Sequence, residues 1–459
     1  MAFWGKQKKT DNNPQNNQPL RRPDINDVFT PRGDVKKYSG MYINRNNLES
    51  SFQNYLHGNF HIVISGESGY GKSWLYEKIL HDLKDKGTHT YEIINLTRFP
   101  NHRLEKVFEI TYNGPVLNTE QTSTEGSSGV KIALTGLEAS GGVKIATTKE
   151  LEHPEPQYLN FLLKKINPNP NPNKKTVMVF DDFDARLSDN SAEQATANAM
   201  FIRDFLYIIR GVTETYPDHN VRLVIICTMD AKKKLVAEIA KQSDANHLNN
   251  RLRFLEPVSY FNRNEVEEFV IRGFVEKLGV NLDNIVRMLW VNHIYDTTLG
   301  VPQAMHEYCL HLAYLCQGNN WHITQQLSET SFLPSADKAW HDDNTLLQNA
   351  KALLRPIIRN RRANKHRVLY TLSQIQNEEF ERQEVVEKVR YYFRRQFNTP
   401  STIDGQIQNF LDEFLEGDNP ILKKDADSYS FANAYYKIWL RLALRLDHGE
   451  AGNEIKLNW

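Results

Sequence analysis

Apolar residues in this chain come first in short unbroken runs and later at helical spacing, and the change falls near residue 260. HIVIS (61–65), VMVF (177–180) and VRLVIIC (221–227) are short, predominantly apolar runs, which predict strands buried on both faces rather than strands with one wet side. Two further strands are predicted at 90–96 and 252–258. Amphipathic runs such as 48–56 and 74–86 predict helices between them. Alternation of this kind implies an α/β fold whose parallel sheet is covered by helices on both faces.

Beyond residue 260 the pattern is helical, with helices predicted at 264–277, 282–295 and 301–316 and a looser stretch at 317–343. Helices resume at Thr345 and around Val368 and Val385, then at 403–416, followed by a strand-turn-strand at 421–431 and a last helix at 434–446. Three helices and then a hairpin is the order of a winged helix. Two segments break the rhythm. Residues 113–150 are rich in Gly, Ser and Thr and repeat GVKIA at Gly129 and Gly142, which predicts an inserted β-hairpin, either an inert surface insertion or a contact surface. NPNPNPN (167–173) is a stiff connector, because proline cannot enter the adjoining helix or strand. The expected domains are therefore a disordered lead-in at 1–27, an α/β core at 28–260 carrying that insertion, a helical lid at 261–343 and a winged helix at 344–459.

Directly after the first strand stands GESGYGKS: Gly66, Glu67, Ser68, Gly69, Tyr70, Gly71, Lys72 and Ser73. It is a complete G-x-x-x-x-G-K-[ST] phosphate loop, preceded by a strand and followed by an amphipathic run beginning at Trp74. Glycines at that spacing let backbone N–H groups point at a β-phosphate, Lys72 adds positive charge at the β/γ oxygens, and Ser73 offers its hydroxyl to Mg²⁺. VMVFDD then delivers two acids at a strand end. Asp181 is placed to ligate Mg²⁺, and Asp182 to orient or deprotonate an attacking water. Asp184 reads as a loop acid or a cap. Thr228 ends the strand VRLVIICT, as a water or γ-phosphate contact or as an ordinary strand-end residue. Arg251 lies between a helix and a strand, where a guanidinium can serve a neighbouring subunit's phosphate or simply pair with an acid, and Arg253 is the second candidate.

Composition narrows the classes. Among 459 residues, 56 are basic and 56 acidic, so no global field draws the chain to nucleic acid or membrane, and contacts of that kind must be local. Cys227, Cys309 and Cys316 lie in apolar runs without C-x-x-C spacing, which argues against zinc or a disulfide framework and fits a reducing, cytoplasmic compartment. No apolar run approaches the roughly 20 residues that cross a bilayer, and the start lacks a signal-peptide core, so a soluble protein is expected. Two basic clusters stand out, RPIIRNRRANKHR from Arg355 to Arg367 and KVRYYFRR from Lys388 to Arg395. They either track a DNA backbone without reading sequence or pair with acids of the assembly. The third helix of the winged helix carries Asp404, Asp412, Glu413 and Glu416 and no cation, so it is not suited to enter a groove.

The succession MYINRNNL, GESGYGKS, VMVFDD, VIICT, Arg251 and GVPQA resembles the P-loop ATPases of the AAA+/STAND group, and within it bacterial ATPases akin to origin-recognition initiators. The resemblance spans roughly residues 28–317. It implies a P-loop NTPase sheet followed by a lid and a winged helix, ATP and Mg²⁺ as ligands, ATP hydrolysis, and a homo-oligomer. It also implies that Arg45 lies near the adenine, with Asn44 in place of the usual glycine, and that Gly300 and Pro302 pack on the base. The chain departs from the group where Gln303 replaces a sensor arginine, and where CTMD (227–230) lacks the arginine of many STAND proteins. The histidine by which some STAND winged helices hold ADP is not evident either, and the chain has no N-K-x-D guanine signature. Three functions follow from the group: a nucleotide-dependent switch or assembly ATPase, a DNA initiator or transposition-type regulator loaded by ATP, and a sensor of a protein client, as in antiviral defence.

Overall fold

The computed structural model describes residues 22–30, 39–99, 102–113, 157–171, 173–187, 192–359, 363–394, 400–417, 419–449 and 452–457. The predicted hairpin at 113–150 falls outside them, apart from Asn113, which ends the helix Leu104–Asn113. The chain forms two compact units: Arg45–Glu67 with Leu75–Val258, and the remainder, which includes Ser68–Trp74.

The first unit is built on a five-stranded parallel sheet in the order β2-β3-β4-β1-β5, with β1 His61–Ser65, β2 His89–Asn95, β3 Lys175–Asp181, β4 Val221–Cys227 and β5 Leu252–Phe254. Strands β1 and β4 are buried at every position, the polar His61, Ser65 and Arg222 included, while the edge strand β2 is mostly half-buried. Register fixes the chemistry. Ser65 pairs with Cys227 and Asn95 with Asp181, so the carboxyl ends of β1, β2, β3 and β4 form one edge. Beneath it the helix Ala192–Thr215 packs its aromatic side chains on the sheet, with Phe180 and Phe205 meeting edge to face at 4.8 Å. Asn167 of the predicted connector is buried and bonds Thr176 Oγ1 at 3.2 Å, so the turn is pinned to β3. The strand expected at 252–258 ends at Phe254. Beyond it only Leu255 and Val258 bond to β1, because Pro257 has no N–H to continue a ladder.

The second unit is helical. Asp24 caps a short helix, Ile25–Val28, whose Ile25 and Val28 are buried, so folded chain extends to the amino side of residue 28. Helices Arg263–Val270, Asn284–Thr298 and Pro302–Gly318 follow the prediction closely, the first opened by a capping box of Asn262 and Glu265. The expected loose stretch at 317–343 is instead helical. Thr324 caps the start, and Leu333–Asp343 continues it with Pro334 in the first turn, where no N–H is needed, and Trp340 fully buried. Ser, Thr and Pro there mark caps rather than loop.

At the carboxyl end, helix Ala363–Gln374, strand β6 Glu379–Glu381, helices Arg382–Tyr392 and Pro400–Leu415, and strands β7 Leu422–Asp425 and β8 Ser428–Phe431 follow in winged-helix order, with the sheet paired β6-β8-β7. The last predicted helix stops at Ala443. Leu444–Gly449 and Gly452–Leu457 then pair as an antiparallel hairpin, β9 and β10. Cys227, Cys309 and Cys316 are buried and free, and among the described residues no helix is long and apolar enough to cross a membrane.

Two buried histidines make the fold acid-sensitive. His61 at the start of β1 accepts the Leu223 N–H at 3.1 Å, and His306 accepts that of Thr30 at 3.1 Å. Burial, aided at His61 by Arg222, lowers both to about 3. An unfolded histidine takes up its proton near pH 6.5, so this stability is present above that pH and is lost as pH falls towards 3. By about pH 5 each should have withdrawn about 2 kcal/mol. Thermal unfolding midpoints measured from about pH 7.5 to about pH 5 should fall in the wild type and fall less in His306→Gln, and equal slopes would contradict this account.

Candidate functional site

The turn from β1 into the helix Lys72–Asp85 is shaped by its glycines. Gly66 donates its N–H to Cys227 O of β4 at 3.3 Å, and a Cβ at Gly66 would lie 2.5 Å from Val258 O, so only glycine fits. Gly69 and Gly71 take φ of 83° and 86°, left-handed values that a side chain disfavours. Such alternation turns successive N–H groups to one side, the geometry of an anion nest at a helix N-terminus. Lys72 and Ser73 open the helix, as the motif requires.

Asp181 ends β3. Its Oδ2 accepts from Tyr76 OH at 2.9 Å, and its Oδ1 from the Asp182 N–H at 3.0 Å. Tyr76 lies one turn beyond Lys72, so this bond ties the helix that begins at the loop to the acid at the end of β3. Asp182 adopts φ 54° and ψ 45°, unusual for a non-glycine residue, and Asn95 at the end of β2 donates to its Oδ2 at 2.8 Å. Aspartate is among the few non-glycine residues that take this conformation, and here it sets the carboxylate against the Asn95 amide. Tyr76 and Asn95 escaped the sequence reading. The only signals were a hydroxyl on an otherwise apolar helix face and a polar residue closing a strand.

The remaining predicted residues divide. Thr228 caps the helix Met229–Ala240, with its hydroxyl accepting from the Ala231 N–H at 3.4 Å, and its own N–H donates to Asp184 Oδ1 at 2.7 Å. Asp184 therefore anchors the end of β4. Arg251 closes the helix Ala245–Arg251 at the amino edge of the sheet, opposite the phosphate loop, where it pairs with Glu214. Arg253 lies 3.8 Å over the Phe60 ring and donates to the carbonyls of Asn249, Asn250 and Leu252, so it is occupied within its own unit. Arg45 precedes the helix Asn46–His57, its N–H donating to Glu49 Oε1 at 2.7 Å.

In the helical unit, Gly300 has φ 68° and a Cβ there would stand 2.2 Å from Phe261 O, while buried Pro302 opens its helix. Trp74, which follows the loop, packs against the His306 ring at 5.4 Å. Lys365 of the first basic cluster is corrected as a phosphate contact. It is 6% exposed, pairs with Glu413 and lies 5.4 Å over the Phe414 ring, so it joins the helices Ala363–Gln374 and Pro400–Leu415. Arg361 and Arg362 lie outside the described residues, as does Arg395, whereas Tyr391 and Arg394 are exposed.

Among the described residues no cluster of three or more His, Cys, Asp or Glu side chains forms a metal cage. A carboxylate such as Asp181 and a hydroxyl such as Ser73 are donors of the kind Mg²⁺ takes beside water and phosphate oxygens.

No family model and no curated protein matches the chain. Solved structures similar to it include Cdc6p of Pyrobaculum aerophilum, at 12% identity over 89% of this chain and 98% of that one, with a TM-score of 0.38. A Walker-type ATPase of Pyrococcus abyssi is similar at 13% identity, over 87% and 96%, with a TM-score of 0.43. The ORC1 protein of Aeropyrum pernix, solved with DNA, is similar at 13% identity, over 91% and 90%, with a TM-score of 0.40.

Glycine requirements separate loop function from backbone strain. Gly87 also has a positive φ, 72°, but open space around it, so Gly87→Ala should cost only about 1 kcal/mol and leave nucleotide binding intact. Gly69→Ala meets the Gln303 side chain at 3.1 Å and disturbs the nest, and should weaken nucleotide binding by an order of magnitude or more in calorimetry, about 1.4 kcal/mol per factor of ten.

Proposed function

We propose that this chain binds and hydrolyses ATP and works as a nucleotide-dependent switch or assembly ATPase of the AAA+/STAND type. One observation carries the proposal: the phosphate loop leaves β1 at the sheet edge to which β3 delivers Asp181 and Asp182, with Tyr76 and Asn95 holding those acids. In this scheme the loop N–H groups and Lys72 hold the β- and γ-phosphates. Mg²⁺, held by Ser73 and Asp181, would neutralise charge on the β/γ oxygens. Asp182 orients the attacking water and takes its proton, and the hydrogen bond from Asn95 fixes which carboxylate oxygen is left for that task. Gly300 and Pro302 would border the adenine. Arg251 would act on the nucleotide of a second copy of the chain, because its place at the opposite sheet edge separates it from its own Asp181.

Lys72→Ala should lose ATP binding while its thermal midpoint stays within a few degrees of wild type. Asp182→Asn should retain binding and lose turnover by about 100-fold or more, the usual weight of a positioned base. Arg251→Ala mixed with Asp182→Asn should recover part of the activity of a shared site. Unaltered calorimetry and turnover in Lys72→Ala would refute the site.

A second function, ATP-licensed DNA binding, draws support from the exposure of both Tyr391 and Arg394 of the second basic cluster, residue types suited to a nucleic-acid backbone. The ORC1 protein noted above was solved with DNA. Replacing Lys388, Arg390 and Arg394 together should weaken duplex binding equally across sequences and flatten its salt dependence. Absence of any shift by wild-type protein with a non-hydrolysable ATP analogue at low salt would leave a protein client as the partner.

A further inference from the structure

The phosphate loop is joined to the carboxyl-terminal domain by two routes, both within the helical unit. Along the first, the Gly69 carbonyl accepts the Gln303 N–H at 3.2 Å, and the Gln303 side chain fills the space above Gly69. Gln303 lies in the first turn of Pro302–Gly318 and donates from Nε2 to Glu307 Oε1, one turn on, at 3.0 Å. The other oxygen of Glu307 collects three donors: Trp340 Nε1 at 3.4 Å, Tyr435 OH at 3.1 Å, and Asn344 Nδ2. Tyr435 opens the helix Ala434–Ala443, which follows the β7–β8 hairpin, and is 4% exposed. Along the second route, Tyr70 meets the Tyr260 ring edge to face at 6.1 Å, and Tyr260 OH donates at 3.1 Å to Gln376 O, just before β6.

We propose that Gln303 and Glu307 are positioning residues that couple nucleotide at the loop to docking of the carboxyl-terminal domain. This rests on the ATP-binding function proposed above. A left-handed Gly69 turns the loop amides inward only while its carbonyl points outward, and the Gln303 N–H holds it there. Gln303 in turn is held by Glu307, a carboxylate whose four donors come from its own helix, from Trp340 and Asn344, and from Tyr435. Loosening the last helix removes a donor from a partly buried carboxylate and frees the first turn behind the loop. Linkage is reciprocal, so a docked domain that favours nucleotide is itself held more tightly when nucleotide binds. Glutamine at this position thus serves structure where a sensor arginine would serve phosphate.

Tyr435→Phe removes one hydroxyl without changing the packing, and Glu307→Gln replaces a pure acceptor with a group that must present a donor to at least one of the others. Hydrogen exchange of residues 434–443 in full-length wild-type protein should slow when ADP or a non-hydrolysable ATP analogue is added. In both variants that protection should shrink, and the dissociation constant by calorimetry should rise at least about 5-fold, the lower end of measured couplings. Nucleotide that binds the wild type but leaves this exchange unchanged would overturn the relay, as would unchanged affinity in both variants, with the ATP site intact in either case. No nucleotide binding by the wild type would instead remove the ATP site, and the relay with it. Tyr435→Phe with a native thermal midpoint guards against loss of fold as the explanation.

Discussion

A parallel sheet buried on both faces has nowhere to place polar chemistry except its ends, and that constraint organises this protein. Strands β1, β3 and β4 bury nearly every side chain. Their carboxyl edge, fixed by the pairing of Ser65 with Cys227 and of Asn95 with Asp181, is where the chain turns sharply and exposes amides and carboxylates together. Glycine at 66, 69 and 71 allows the first turn, and a left-handed Asp182 makes the second. The opposite edge holds cations in structural bonds instead: Lys175 donates to Leu56 O and His57 O at the end of a helix, and Arg222 to Val221 O and Asn220.

Hydrogen bonds between elements decide what each acid at the edge can do. Asp181 accepts from Tyr76 and from the Asp182 N–H, Asp182 accepts from Asn95, and Asp184 accepts from the Thr228 N–H. Three carboxylates within four positions of the chain thereby take three different sets of partners. Their pairings differ because β2, the helix after the loop and β4 each reach a different one. The same logic separates the two arginines near β5. Arg253 is spent on its own backbone and on Phe60, while Arg251 pairs with the exposed Glu214.

Charge at the carboxyl end of the chain is sorted by burial in the same way. Lys365 and Arg367 sit beside Arg361 and Arg362 in sequence, yet Lys365 is consumed by Glu413 and Phe414, and Arg367 by Asn364 and the Phe393 ring. A run of cations is therefore not a patch until the fold turns its members the same way. Acids on the third helix, unexplained as a nucleic-acid surface, find part of their purpose in that pairing.

The phosphate-loop motif, the acids at the end of β3 and the order of the five core strands were legible in the chain, because each depends on local spacing: glycines where φ is positive, apolar runs where both faces are buried. Caps misled the reading at 317–343, since Thr324 and Pro334 have the same composition in a helix start as in a loop. Only the tertiary structure could name Tyr76, Asn95 and Glu307, because their partners lie 105, 87 and up to 128 positions away and no periodicity encodes such pairs. Sequence determined which chemistry the chain carries; packing decided which side chains are free to perform it.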